Sequence, residues 1–565
     1  MKDYFRKLFY LLPGIKKQLI FLIFFSTIAS FLEVFGLGLV GPFLTSIISA
    51  EIPDFFIIDL LSPENLNLQN EQLVKVIGLL IIIVFLMRSL IGFLFLKLVV
   101  KFAYTQQTRL RIMIVKSFLE NDYYSLLQIK FAKILNALTH QSNNFVTNFL
   151  TRLIVICSDI IIGLSIVLFL FQINFKITFT IFVIVILFFV VSNLILRKKF
   201  EFYGKEFNIM NEKIINWITL FTNNIREIII YDRKDEFSEG FVNDVNQQQN
   251  AIINMNLLQQ LPKYLIESFF VTMVILVTFF VMESSTNLNN TITLFAIFVA
   301  ASIRILPITF NIYNSLGNIW NSRHTVTRLY ELVLVLNQKK KKFANKIDYK
   351  IDSFELINVD FAYPDTNEKI LSNINLSLKK GDFIFLNGES GSGKTTLVNI
   401  ICGFLKIKSG SKLINGKKID DNIDYFRRIN YIPQNAATIN NTLEKNILFS
   451  NFGNLNNDEF RSYLKSVNLE IFLDKKSYVI NSNANNISGG QKQRLLLCRV
   501  LFFDRDIIIL DEASSAIDEL NEERIYSNFK KIFIEKIVIV ISHRKNLKKF
   551  SNKVLLLKNK ELIIE

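Results

Sequence analysis

The chain has 565 residues, 51% of them hydrophobic, with 54 phenylalanines and a mean hydropathy of +0.33. That length exceeds one ordinary soluble domain, and the composition argues against a wholly soluble protein and for an integral membrane protein. The net charge of +16 is carried by Lys and Arg beside apolar spans and in the C-terminal third, so membrane topology accounts for it better than a nucleic-acid face, and no nucleic-acid partner is expected.

Taken in order, the chain opens with Lys2, Arg6, Lys7, Lys16 and Lys17 before a long apolar run. No small-residue cleavage site follows, so this reads as a first membrane helix that stays attached. Six spans are predicted, at about 19–48, 73–98, 153–171, 177–196, 264–282 and 291–312, each near the roughly 20 residues a bilayer core requires. Residues 49–72 hold five acids and no Lys or Arg, whereas 97–152 hold eight Lys or Arg and 197–263 hold nine. By the positive-inside rule both termini and the two long basic segments are cytoplasmic. Those segments keep a helical pattern, which predicts helices extending well past the bilayer. Their reversals are expected at Glu120–Tyr124 and Phe221–Ile225. Residues 52–61 read either as a short helix on the outer membrane face or as a structured loop.

A basic run at 339–342 marks a solvated linker, after which strands and helices alternate through about 220 residues, enough for one α/β domain. The three cysteines, Cys157, Cys402 and Cys498, have no disulfide or zinc-like spacing.

In that second part the apolar run Phe383–Leu386 leads into Gly388, Glu389, Ser390, Gly391, Ser392, Gly393, Lys394, Thr395 and Thr396 and then a helical pattern. This is a Walker A element: a strand stops, a glycine-rich loop turns its N–H groups inward, and a helix begins, so a polyphosphate meets converging donors. Lys394 is placed to reach the β- and γ-phosphates of ATP, and Thr395 to bind Mg2+. The strand Ile507–Leu510 ends in Asp511 and Glu512 and reads as Walker B, with Asp511 in the Mg2+ shell and Glu512 polarising the attacking water. Ser488, Gly489, Gly490 and Gln491 open another apolar helix, exposing backbone donors at a second helix N-terminus. The nucleotide held by the chain's own Walker A loop leaves that second site to a partner.

With this motif the sequence resembles the ABC transporter family over essentially its whole length. The resemblance implies a fold and an assembly: an α-helical six-span transmembrane domain of exporter type (1–335), a linker (336–350), and an α/β P-loop ATPase domain (351–565) that meets a second copy head to tail, so that a homodimer holds two composite sites. It further implies that Tyr363 stacks on adenine, that Gln434 contacts Mg2+ or water, that Ser514–Asp518 forms the D-loop with Asp518 near nucleotide, and that His543 contacts the γ-phosphate. Two departures stand out: Ile487 replaces leucine at the start of the signature, and 481–486 lacks the glutamate and glycine exporters usually carry there.

Arg88 and Arg304 fall deep within predicted spans, with Lys263 nearer the cytoplasmic side; charges there default to function. They form either a cationic belt for a phosphate or pyrophosphate, or internal pairs with Glu33, Asp159 and Glu267. The pattern Phe31–Phe43 and the whole layout are similar to PglK-type flippases, which implies ATP-driven movement of an undecaprenyl-pyrophosphate glycan across a bacterial inner membrane. Export of lipid A, phospholipid, drug or peptide is the alternative within the class. Outside it stand a soluble ABC ATPase and a membrane regulator clamped by ATP.

Overall fold

The computed structural model describes residues 2–48, 70–284, 288–338, 345–364, 368–420, 423–481 and 484–565. The expected outer-face helix at 52–61 lies outside them. The chain divides into two compact units, one of Met1–Asn121 with Leu127–Lys340, the other of Asp122–Leu126 with Lys341–Glu565.

The first unit is helical: α1 (Lys2–Leu11), α2 (Lys16–Ile48), α3 (Asn70–Leu119), α5 (Phe131–Ile173), α6 (Phe175–Ile230), α7 (Lys234–Ser284), α8 (Leu288–Asn321) and α9 (Arg323–Gln338); the short α4 (Tyr123–Leu127), between α3 and α5 in sequence, belongs almost wholly to the second unit. Each of the six predicted spans falls inside a long helix. Among the described residues, four stretches are long and apolar enough to cross a membrane: Lys16–Val40, Val74–Leu119, Phe131–Ile173 and Ile297–Asn321. The outward side of α3 is apolar at Leu79, Leu86, Leu90 and Phe93, all exposed, as a helix facing lipid requires. At 56 residues, α6 is about 80 Å long at the rise of an α-helix, far more than a bilayer core.

Two cores hold these helices together. One joins α2, α5 and α8 through Leu37, Ile166, Leu170, Ile297 and Phe298. The other gathers Leu8 and Leu11 of α1, Phe145 and Leu150 of α5, and Leu329, Val333 and Leu336 of α9. Gly204 brings α6 against the end of α8, since a Cβ there would lie 2.5 Å from the Asn321 carbonyl oxygen. The α5 stretch widens into π-helix twice, at Ala137–Gln141 and Phe145–Leu150.

The first reversal lies at Glu120–Asp122, as expected, and leads into α4. The second does not lie at 221–225. There α6 only kinks, at Asn224 (φ −122°, ψ 23°), and it continues to Ile230. The Asn224 amide bonds back to the Leu220 carbonyl at 3.0 Å, which carries the helix through the kink. The chain turns instead at Tyr231–Arg233, where Asp232 takes a positive φ of 53°, a conformation Asp tolerates better than most residues.

The second unit is α/β. Its main sheet contains, from one edge, Glu561–Ile564, Lys553–Lys558, β1 (Phe383–Gly388), β4 (Ile537–Ile541), β3 (Ile507–Asp511) and β2 (Ile429–Ile432). All neighbours are parallel except the edge strand Glu561–Ile564. Every residue of β3 and β4 is buried, so their unbroken Ile and Val runs mark strands covered on both faces. A four-stranded antiparallel sheet accompanies it, ordered Lys369–Lys379, Ser353–Ala362, Ser409–Ile414 and Lys417–Ile419. Within this unit Tyr123 of α4 lies 4.9 Å, ring to ring, from Phe404, and Tyr124 stacks on Tyr363 at 5.9 Å.

Candidate functional site

The parallel strands β1, β3 and β4 all end on one side of the sheet, the side where α/β proteins place their ligands. After β1 the loop 388–393 turns into α10 (Lys394–Ile401). Gly391 and Gly393 stand at φ 81° and 105°, which only glycine adopts without strain. Gly388 is equally constrained, because a Cβ there would meet the Leu557 carbonyl oxygen and Ser392 Oγ at 2.7 Å each. The Lys394 ammonium is curled onto its own loop, donating to the carbonyls of Gly388 at 2.8 Å and Glu389 at 2.9 Å. Ser392 Oγ is buried with no hydrogen-bond partner. The loop thus holds a cation, a free hydroxyl and a helix N-terminus together, a combination that fits phosphate.

Next to it, β3 delivers Asp511 and Glu512. Burial pushes the Asp511 carboxyl above the usual range; the Tyr431 hydroxyl, which donates to Oδ2 at 3.2 Å, opposes that shift, the neighbouring Glu512 adds to it and Lys394 offsets it. A Thr hydroxyl, an Asp carboxylate and a Gln amide oxygen are hard oxygen ligands of the kind Mg2+ takes, so Thr395, Asp511 and Gln434 fit that ion. Glu512 sits at φ 47°, an uncommon and strained conformation for a side-chain-bearing residue, and its N–H is tied to the Ile541 carbonyl at 2.9 Å. Its two carboxylate oxygens are taken by the Gln434 amide at 2.6 Å and by His543 Nε2 at 3.2 Å. Two residues far apart in sequence, Gln434 and His543, therefore converge on the Glu512 carboxylate.

Tyr363 reaches the same helix, its hydroxyl 3.2 Å from Thr396 Oγ1. Ser488 caps α11 (Gly489–Phe503): its Oγ accepts from the Gln491 N–H at 3.2 Å, and Gln491 returns the bond to the Ser488 N–H at 2.9 Å. Asp518 caps α12 (Glu519–Ile532); Asn521 donates to its carboxylate, holding it below the ordinary carboxylate range.

Two organisers escaped the sequence reading. Gln493 donates to Ser515 Oγ at 2.9 Å and accepts from the Ala516 N–H at 2.7 Å, tying α11 to the loop after β3. Arg544 donates to the carbonyls of Ser515 and Ile517 and to the fully buried Glu522. Gln493 lies two residues past Gln491 and Arg544 directly follows His543, and only packing shows what they grip. Before the signature, Asn486 takes over the ordering of the loop, donating to the Val479 carbonyl at 2.8 Å and accepting from the Asn481 N–H.

Residues 371–515 match the ABC transporter family and residues 19–306, just over half of the chain, match the ABC transporter transmembrane region. The chain belongs to the ABC transporter family. A bacterial Atm1-family ABC exporter with ATP bound superposes with a TM-score of 0.77 over 98% of this chain and 95% of that one, at 15% identity, which establishes a shared fold. The subtilin transport ATP-binding protein SpaT of Bacillus subtilis is 30% identical over 45% of this chain and 43% of its own length. The ATP-dependent lipid A-core flippase of Haemophilus influenzae is 31% identical over 41% and 40%, and that of Aliivibrio fischeri 27% over 60% and 59%. The matched part thus spans less than two thirds of each of these relatives.

In the helical unit of this ABC transporter, the deep charges form a trio. Glu33 is 1% exposed; it takes Arg88 on one oxygen, and Arg304 lies 3.1 Å from the other. The Arg304 guanidinium also lies over the Phe85 ring, 4.8 Å from its centre. Asp159 is buried with Oδ2 unpartnered, and Lys263 is exposed. Of the pairings envisaged from sequence, the Glu33 one is present, and it leaves one positive charge in excess.

Proposed function

We propose that the protein is an ATP-driven exporter of the flippase type, which works as a homodimer to move a lipid-linked oligosaccharide, an undecaprenyl-pyrophosphate glycan, from the cytoplasmic to the outer leaflet of a bacterial inner membrane. The observation that carries the substrate class is the trio Arg88, Glu33 and Arg304: two guanidinium groups share one buried carboxylate, and the surplus charge suits an anionic phosphate group within the membrane span. Lys263 stands ready on the cytoplasmic side. Two of the relatives are named as ATP-dependent lipid A-core flippases, which supports a lipid substrate.

For hydrolysis, Walker A residues Gly388–Thr396 hold the phosphates and Tyr363 the base. Mg2+ held by Thr395, Asp511 and Gln434 would neutralise charge developing on the phosphates. Glu512 accepts the proton of the attacking water, and His543, beside it, contacts the transferring phosphoryl group. The signature Ser488–Gln491 of one copy closes over ATP on the other. Closure then reorients the helical units by rigid-body movement. The basic segments at 97–152 and 197–263 support a cytoplasmic ATPase unit by the positive-inside rule.

The test is reconstitution in proteoliposomes with a fluorescent lipid-linked oligosaccharide, lipid A and a phospholipid side by side. ATP-dependent protection of the oligosaccharide lipid from an external quencher is the expected result. Movement of lipid A alone transfers the assignment to that lipid, and movement of none overturns the flippase reading.

A further inference from the structure

A half-open cavity of about 290 Å³ lies in the helical unit, lined by residues of α5, α6, α7 and α8 and by none of the arginine trio. Among the described residues its walls carry six asparagines, a threonine and His140, and no Lys, Arg, Asp or Glu. A pocket this size sits at the small end of ligand sites, roughly 300 Å³ upward, and so fits one ring and not a whole glycan.

Two features of the wall point to a guest. Asn321 is 5% exposed, yet both its amide nitrogen and its amide oxygen lack a hydrogen-bond partner, and His140 Nδ1 is likewise buried and unpaired. Buried polar groups are normally satisfied, so an amide left with neither bond is costly and demands an explanation. The two π-helical stretches of α5 carry His140 on one side, and Thr147 and Asn148 on the other, into the wall; π-bulges concentrate at functional sites.

The chemistry of the walls selects the guest. Without a cation, they give no hold on phosphate. Asn144, Asn208 and Asn318 already bond protein partners through both amide atoms, which leaves Asn143, Asn148 and Asn321 to offer the mixed donors and acceptors that a set of hydroxyls requires. Phe207, whose ring centre is 5.1 Å from that of His140, combines with Ile252 and Met255 into an apolar side. A sugar ring has this character, with polar edges and apolar faces. An extended peptide is held along a groove or strand edge several residues long, and about 290 Å³ is short for one.

We propose that this asparagine-lined cavity binds one uncharged sugar ring, the part of the headgroup that lies beyond the phosphate. The role as a headgroup site rests on the glycolipid reading above; the binding of a neutral sugar does not.

The test uses the full chain in lipid nanodiscs, with Trp217→Phe so that Trp320, the neighbour of Asn321, is the only remaining tryptophan. Its emission is titrated with N-acetylglucosamine and methyl glucoside, and with inorganic pyrophosphate and trialanine as the anionic and peptide comparators. A saturable response to a neutral sugar is expected, weakened tenfold or more by Asn321→Leu and, independently, by Asn148→Leu, each checked for native melting. Asn148→Leu carries the test if Asn321→Leu does not fold. No response to either sugar, an unchanged affinity in the folded variants, or a response to pyrophosphate or trialanine instead overturns the proposal. Sugar binding without flipping of the glycolipid supports the cavity and overturns the substrate reading; flipping without a sugar response does the reverse.

Discussion

Gln434 donates its side-chain amide to the Glu512 carboxylate at 2.6 Å, and His543 occupies the other oxygen at 3.2 Å. The carboxylate is thereby aimed by two neighbours while its backbone stands in the left-handed region. A positioned general base contributes about two to four orders of magnitude. Glu512→Gln is therefore expected to lower phosphate release at least 100-fold, on that scale, with nucleotide binding retained. Phosphate release that is unaffected in the Gln variant would remove Glu512 from the mechanism.

Glu33 has two cationic partners and is almost fully buried, whereas both arginine side chains keep about a third of their surface. Glu33→Gln leaves two uncompensated charges on the helices. The expected loss of stability is about 1–3 kcal/mol, less than for a wholly buried pair because the guanidinium groups are partly exposed. Adding Arg88→Met to Glu33→Gln removes one of the stranded cations and is expected to recover part of the melting temperature in lipid. A double variant that melts no higher than Glu33→Gln alone would deny the coupling.

How far the sequence carried the interpretation differs from place to place, for physical reasons. The ATPase unit was legible because a glycine loop, an apolar strand and a cap residue are local instructions: Gly391 and Gly393 need positive φ, and Ile507–Leu510 needs burial on both faces. Long-range geometry was not. Glu33, Arg88 and Arg304 sit on three helices, and no spacing rule states that one carboxylate takes both guanidinium groups. The second reversal was misplaced because asparagines at 223–224 resemble a turn, while the Asn224 amide in fact bonds back along the helix and the turn falls on Tyr231–Arg233. The asparagines of the cavity are scattered over α5, α6 and α8 and form no pattern until those helices pack.

His324, in α9, is expected to make stability depend on pH. Burial pushes its imidazole down to about 4, helped by Arg328 and Lys205 and opposed by Glu212, and its Nδ1 has no partner. In the unfolded chain the group titrates near its ordinary value of about 6.5. Between those values the unfolded state binds a proton that the folded state refuses, so stability is complete above about 6.5 and falls as the pH drops toward about 4. His324→Gln removes this linkage. The difference in melting temperature between pH 7 and pH 5 is expected to be smaller in the variant, and an equal or larger difference would assign the acid sensitivity to other groups.

The last prediction concerns where each ATP finds its second wall. Ser488 and Gln491 satisfy each other as a capping box, which leaves the N-terminus of α11 preorganised, with backbone donors of its own and a positive helix end. If the signature completes a site on a second copy, the two halves of the site can be damaged on different chains. A chain with Lys394→Ala and a chain with Ser488→Arg are each expected to be inactive alone. Mixed dimers then contain one site with both defects and one site with none, so co-expression is expected to restore part of the ATP turnover. If both halves of a site belonged to the same chain, every site in the mixture would carry one defect, and no turnover would return. Measured phosphate release from purified mixed dimers, carrying a different affinity tag on each chain, decides between the two.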